Sequence, residues 1–407
     1  MDRKKLKAFI REIPKCDLHV HLGGSIKVKA LIEIAQAEGI KLPSYTEEGL
    51  YEKVFKDQYT DLPEYINSFS YSIAVMQKPE NLERIAYEFA WDNLNEGVCY
   101  VEVRFAPQLY VSKSMDIGGV LEAVSKGLDR AKKEYNSGKD IISGGKPKFE
   151  YGIIACAMRS VAKGTAEYFD KLFEVHPYLS NPKACSLASN ELVNAMVTAR
   201  DKGIQVVGFD LAGAEAGYPA KEYRDAYALA HRNFFKKTVH AGEAYGAESI
   251  FQAITDLHAD RIGHGYYLFS EDMIKDERIK DKAKFIKQLV QYIADRRITI
   301  EVCLTSNIQT NPKMKSIKEH SFKKMIDNKL SVSLCTDNRT TSKTTVSKEL
   351  ELAVESFNLT ARQLRSCVIY GLKRSFHPGT YQEKRDYVRG IIDYYESVEK
   401  KYPGLLK

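Results

Sequence analysis

What the chain lacks narrows its identity first. No apolar run in its 407 residues approaches the length needed to span a bilayer. Its first residues, Met1-Asp2-Arg3-Lys4-Lys5-Leu6-Lys7, place charge where a signal peptide would soon need an uninterrupted apolar core. The expectation is a soluble, cytoplasmic protein with no membrane partner. Seven cysteines, an odd number, are dispersed, and Cys99, Cys156, Cys303 and Cys335 sit inside apolar strand-like runs. They fit reduced, buried thiols better than a disulfide framework or a cysteine-rich zinc site. Lys and Arg outnumber Asp and Glu by 61 to 54, but no basic cluster forms. The excess is spread through mixed-sign runs such as Asp276-Glu277-Arg278-Ile279-Lys280-Asp281-Lys282, which read as solvated helix faces and leave no nucleic-acid footprint. No long low-complexity or Pro/Gly/Ser-rich linker divides the chain. It is therefore read as one domain over 1–407, with a core at about 13–388 and a helical C-terminal extension at about 361–407.

What is present is a regular alternation in a chain that is 44% apolar. Residues 3–12 read as a short amphipathic helix stopped by Pro14. The first strand runs from about Lys15 to Leu22, with Gly23-Gly24 as the turn and Ser25 as N-cap of a helix through Glu38, closed by Gly39. Residues 62–75 predict a helix with Tyr65, Ile66 and Phe69 on one face, and 81–96 another with Leu82, Ile85 and Phe89 in one stripe. Further apolar strands are expected at Val98 to Phe105, Phe149 to Met158, Ile204 to Leu211, Thr238 to Ala241, Arg261 to Gly263, Ile298 to Cys303 and Ser331 to Cys335, each followed by a helix-length amphipathic segment. The insertion at 137–147, rich in Gly and Lys, reads as a surface loop. Eight β/α units predict an α/β fold, a closed parallel (β/α)8 barrel. An open doubly wound sheet binding a dinucleotide would want a Gly-x-Gly-x-x-Gly turn after an early strand, and none is present.

In a parallel barrel the strand C-termini meet at one mouth, so polar residues there become neighbours. The first strand carries His19 and His21 on one face. The fifth delivers His240 and Glu243, the sixth His264, and the eighth Asp337. Three imidazoles and a carboxylate suit one zinc ion, which acidifies a bound water to a pKa of roughly 7. His19, His21, His240 and Asp337 are the expected ligands, with His264 orienting the water and Glu243 moving protons. Asp337 is counted with these two in the catalytic group. A dinuclear centre would want a lysine at the end of the fourth strand, where the chain reads Phe209-Asp210-Leu211-Ala212-Gly213. His-Glu-x-x-His and Pro-Cys-x-x-Cys are absent as well. His176, His231, His258, His320 and His377 have no such placement and are expected on the surface or in helices.

From Leu18 to about residue 388 the chain resembles the adenosine deaminase family of the amidohydrolase barrels. The resemblance is carried by Leu18-His19-Val20-His21-Leu22, Tyr100-Val101-Glu102-Val103-Arg104, Asp210-Leu211-Ala212-Gly213, His240-Ala241-Gly242-Glu243, Arg261-Ile262-Gly263-His264-Gly265, and Glu301-Val302-Cys303 with Ser306-Asn307. It implies one zinc per chain on the four ligands above and a purine nucleoside as the small-molecule partner. It further implies that Glu243 protonates purine N1, that His264 steers the nucleophile, that the Gly213 N–H meets N3, and that a helix like 62–75 roofs the pocket with Tyr65, Ile66 and Phe69. His21 and Gly23 are counted on the substrate side. Many members carry Asp where this chain has Gly23, near the nucleoside 5′-hydroxyl, and Asp where it has Asn338, facing N7. The expected reaction is deamination of adenosine and 2′-deoxyadenosine in purine salvage, with weak discrimination at the 5′ position; a 5′-modified adenosine or free adenine is the alternative. A non-catalytic extracellular relative would show a signal peptide and disulfides.

Overall fold

The computed structural model describes residues 2–406. Eight parallel strands form one sheet in strict chain order: β1 (Lys15–His21), β2 (Val98–Phe105), β3 (Glu150–Met158), β4 (Val206–Ala212), β5 (Lys236–Ala241), β6 (Arg261–His264), β7 (Thr299–Val302) and β8 (Ser331–Leu334). The seam between first and last is closed by main chain. The His21 N–H donates to the Asp337 carbonyl at 2.7 Å, and the Asp337 N–H to the His19 carbonyl at 2.7 Å. Every residue of β2 is buried, as a sheet covered by helices outside and side chains inside requires. All seven cysteines are free and buried. Among the described residues, no helix is long and apolar enough to cross a membrane.

Apart from shifts of one or two residues at the ends of elements, the structure departs from expectation in four places. The helix at 62–75 is broken into Leu62–Asn67 and Ser70–Val75, because the Ser68 hydroxyl donates to the Tyr65 carbonyl at 2.7 Å and competes with the helical ladder. Ser25 is not an N-cap: the helix begins at Val28, with Lys27 in the cap position, and the Ser25 hydroxyl instead accepts the Arg339 N–H at 3.1 Å. The insertion at 137–147 contains a short helix, Lys139–Ile142. The barrel interior is also less apolar than its strand sequences suggest.

That interior holds an ionic layer. Arg104 donates to Asp210 at 2.9 Å and Glu301 at 2.8 Å, while Arg261 bonds Glu301 through Nε at 2.7 Å and also pairs with Glu102. All five side chains are essentially inaccessible. Removing one partner from a buried ion pair leaves the other charge stranded, at a cost of about 3–5 kcal/mol. Arg104→Met is expected to lower the unfolding free energy by roughly that amount, read as a drop in the urea midpoint at unchanged m-value. A loss below about 1 kcal/mol would show that Asp210 finds another partner.

Candidate active site

The alternation of β1 places His19 and His21 on one face at the barrel mouth, and β5 and the residues after β8 bring His240 and Asp337 against them. One ligand atom from each of the four lies within 4.8 Å of every other. The His21 and His240 Nε2 atoms stand 3.1 Å apart, and Asp337 Oδ1 is 3.3 Å from His21 Nε2 and 3.5 Å from His19 Nε2. The outer partners decide whether this donor set fits a cation. His19 turns Nδ1 to Glu301 at 2.8 Å, and His240 turns Nδ1 to Asp210 at 3.0 Å. A carboxylate accepts only, so each ring carries its proton on Nδ1 and aims the Nε2 lone pair inward. His19 Nε2 is buried with no hydrogen-bond partner. Ser306 donates to Asp337 Oδ2 at 2.6 Å, leaving Oδ1 to face the imidazoles. Inward lone pairs with a buried carboxylate oxygen suit a divalent cation of the zinc type.

Asp337 and His264 both take left-handed backbone conformations, with φ of 59° and 63°. Such strain in non-glycine residues clusters at functional sites. At Asp337 it is imposed by the two main-chain bonds to β1.

Glu243 and His264 form the second group of the site. Glu243 Oε1 is 3.6 Å from His264 Nε2, and these two with Asp337 make a further close cluster. Burial first, then the negative charges of Asp337 and Glu215, push the Glu243 carboxyl well above the usual carboxylate range. Burial chiefly drives His264 well below the ordinary imidazole range, so the ring is neutral. Glu215 had no signature in the sequence. It is buried in the loop after β4 and accepts the N–H groups of Gly242 (2.8 Å), Glu243 (2.9 Å), Ala244 (2.7 Å) and Tyr245 (3.1 Å), and the Ser249 hydroxyl besides. One carboxylate thus fixes the loop that presents Glu243, and Gly242 supplies the φ of 73° that the turn needs.

These groups lie at the floor of a cavity of about 330 Å³. The expected substrate residues Gly213, Asn338, His21, Gly23, Tyr65, Ile66 and Phe69 all line it. Tyr65, Leu62 and Tyr59 pack as a small apolar cluster with Ile66 and Phe69, separate from the main core, and all of these but Tyr59 line the cavity. Asn338 spends one amide N–H on Tyr65 Oη at 2.9 Å, while its Oδ1 is buried and unpartnered. A Cβ at Gly24 would fall 1.8 Å from that oxygen, so only glycine lets Asn338 sit there. Beside Gly23, the Tyr110 hydroxyl stands 3.0 Å from where a Cβ would be.

Of the five histidines expected on the surface or in helices, His176, His231, His258 and His377 are exposed or half-buried. His320 departs from that expectation. It is 2% exposed and contacts Asn307 at 3.1 Å, drawn in by the loop after β7. Its placement depends on loop packing and had no spacing signal.

A helix-wrapped parallel barrel with this donor cluster at its strand C-termini defines a hydrolase of the amidohydrolase type. The family model described as adenosine deaminase matches residues 14–175 and 180–394. The adenosine deaminase of Mycobacterium ulcerans (strain Agy99) is 33% identical over 371 residues, spanning 90% of this chain and 91% of that protein. The chain belongs to the adenosine deaminase family and is an enzymatic deaminase. Among solved structures, the Arabidopsis N6-mAMP deaminase superposes with a TM-score of 0.71 at 25% identity, covering 96% of this chain and 99% of that one. The adenine deaminase of Arthrobacter aurescens shares the fold with a TM-score of 0.71 at 20% identity, over 94% and 99% of the two chains.

Proposed function

We propose that the protein is a zinc-dependent hydrolytic deaminase of adenosine and 2′-deoxyadenosine, releasing ammonia and leaving inosine or 2′-deoxyinosine. The observation that carries this reading is the placement of the Glu243 carboxyl, pushed above the usual carboxylate range by burial and by Asp337 and Glu215, 3.6 Å from the His264 imidazole and beside the His19, His21, His240 and Asp337 cluster. Zinc held by those four residues would supply Lewis-acid activation of the attacking water. The chain's own groups account for the remainder. Glu243 donates its proton to purine N1, which draws electrons from C6 and opens it to attack. His264 sits beside Glu243 to align the incoming oxygen. Gly213 and Asn338 hold the purine, and Tyr65, Ile66 and Phe69 close over it and exclude water.

Two observations bear on the substrate. Arg104 is the one Arg or Lys lining the cavity among the described residues, and it is committed to Asp210 and Glu301. A nucleotide phosphate, as in the Arabidopsis neighbour's substrate, would meet no free cation. At the 5′ end the pocket offers the neutral Tyr110 hydroxyl in place of a carboxylate, and a neutral group left unpaired by an analogue costs less than a charged one. Adenosine is therefore expected to exceed AMP in kcat/KM by at least about tenfold, and 5′-deoxyadenosine to fall within about tenfold of adenosine. Tyr110 also makes Gly23→Asp a crowding change. Steady-state kinetics against adenosine, 2′-deoxyadenosine, 5′-deoxyadenosine, adenine and AMP test the proposal. Preference for AMP or adenine would overturn it.

A further inference from the structure

Four imidazoles crowd this site, and hydrogen bonds at Nδ1 set where three of them, His19, His240 and His264, carry their protons. His19 and His240 are wired to carboxylates. His264 is wired differently, through a chain of hydrogen bonds that starts at a backbone amide. The Phe322 N–H donates to His320 Nδ1 at 2.9 Å. His320 Nε2 meets Asn307 Oδ1 at 3.1 Å, and Asn307 Nδ2 meets His264 Nδ1 at 3.1 Å.

The direction of this chain is forced. A backbone N–H can only donate, so His320 Nδ1 must be a lone pair. Burial keeps His320 neutral, its pKa pushed down to about 3, so its single proton is on Nε2 and is given to Asn307 Oδ1. That leaves the Asn307 amide presenting N–H to His264 Nδ1. Turning the amide round would require His320 to accept at both nitrogens, which means an imidazolate with no cation beside it. His264 is then left with its proton on Nε2, a buried atom with no hydrogen-bond partner in the protein, aimed toward the space beside Glu243 and Asp337.

We infer that His320 and Asn307 are positioning residues that lock His264 as an Nε2–H donor, the opposite tautomer from His19 and His240. The consequences rest on the deaminase reading of the site. His264 has no inward lone pair with which to join the metal shell, and none with which to accept a proton from the incoming water. It acts by donating a hydrogen bond to the attacking oxygen, and proton transfer is left to Glu243. The same chain would explain why three of four adjacent histidines, and not all four, serve as ligands.

Nitrogen-15 NMR of histidine-labelled, zinc-loaded enzyme reads the tautomer directly, with the His264 signals assigned by their loss in His264→Gln. The wild type is expected to show a protonated Nε2 and an unprotonated Nδ1. Asn307→Asp keeps the shape but turns the link into an acceptor at both ends. It is expected to move the His264 proton to Nδ1 and to lower kcat by at least about tenfold, with KM within about threefold and zinc content unchanged. His320→Phe removes the donor that sets the amide and is expected to lower kcat, while His320→Gln, which still offers an N–H to Asn307, is expected to recover most of the loss. A wild-type His264 protonated on Nδ1 overturns the inference, as does an Asn307→Asp enzyme with unchanged tautomer and kcat. The wild-type spectrum decides even if a variant does not fold. Because it needs no substrate, it stands apart from the deaminase proposal, which fails instead if the wild type deaminates no purine.

Discussion

His19→Ala and Asp337→Ala are each expected to lose bound zinc and deaminase activity together, the largest effect of any single change in the molecule. Each removes one of four donors whose atoms lie within 4.8 Å of one another, and a shell short of a ligand binds its ion far more weakly. The fold should outlast the loss at His19. Its partner Glu301 keeps hydrogen bonds from Arg104, Arg261 and Thr238, so no buried carboxylate is stranded. A ligand that binds only the native state at about a thousand times its Kd adds about 4 kcal/mol of stability. The melting temperature of His19→Ala should therefore fall to that of the chelator-treated wild type and little further. Metal analysis of the dialysed proteins with thermal unfolding beside it provides the check. Stoichiometric zinc in both variants would mean that the ion is held elsewhere.

The parts of the candidate site that lie on strands or in the motifs at their C-terminal ends were legible in the sequence, and the parts brought in by the folding of the loops beyond were not. His19 and His21 share a face because a strand alternates, and His240, His264 and Asp337 could be gathered by the rule that parallel strand ends meet. Those inferences need only periodicity and topology. Glu215 stands in an irregular loop, and its role emerges only when that loop folds across the barrel mouth onto the N–H groups of 242–245. His320 is separated from Asn307 by a connection with no repeating pattern. The strand edges moved for a related reason: β5 begins at Lys236, two residues before its apolar run, because pairing with β4 continues through polar side chains. The break at Ser68 escaped the helical periodicity of 62–75 because a hydroxyl captured a carbonyl without altering the apolar stripe. Arg104, Glu102, Asp210, Arg261 and Glu301 were visible only as motif letters. That they neutralise one another inside the barrel required their distances.

Glu243→Gln is expected to lower kcat by about a hundredfold to ten-thousandfold while leaving zinc content and melting temperature near wild type. The separation of effects follows from how the residue is held. Its loop is anchored through backbone N–H groups by Glu215, so a side chain of equal size leaves the turn in place. Glu243 is not in the four-donor cluster, so the ion keeps its ligands. What glutamine cannot do is give up a proton to purine N1, and the barrier at C6 should rise by roughly 3–5 kcal/mol. Replacing a buried carboxyl that burial, Asp337 and Glu215 already push toward its neutral form with a neutral amide of equal size should cost the fold little. Steady-state kinetics with adenosine, run beside metal analysis and calorimetry on the same preparation, separate chemistry from assembly. A near-normal kcat would assign the proton to another group. A fall in kcat that tracked lost zinc would instead make Glu243 part of the metal shell, and the division between ligands and acid drawn from the distances would be wrong.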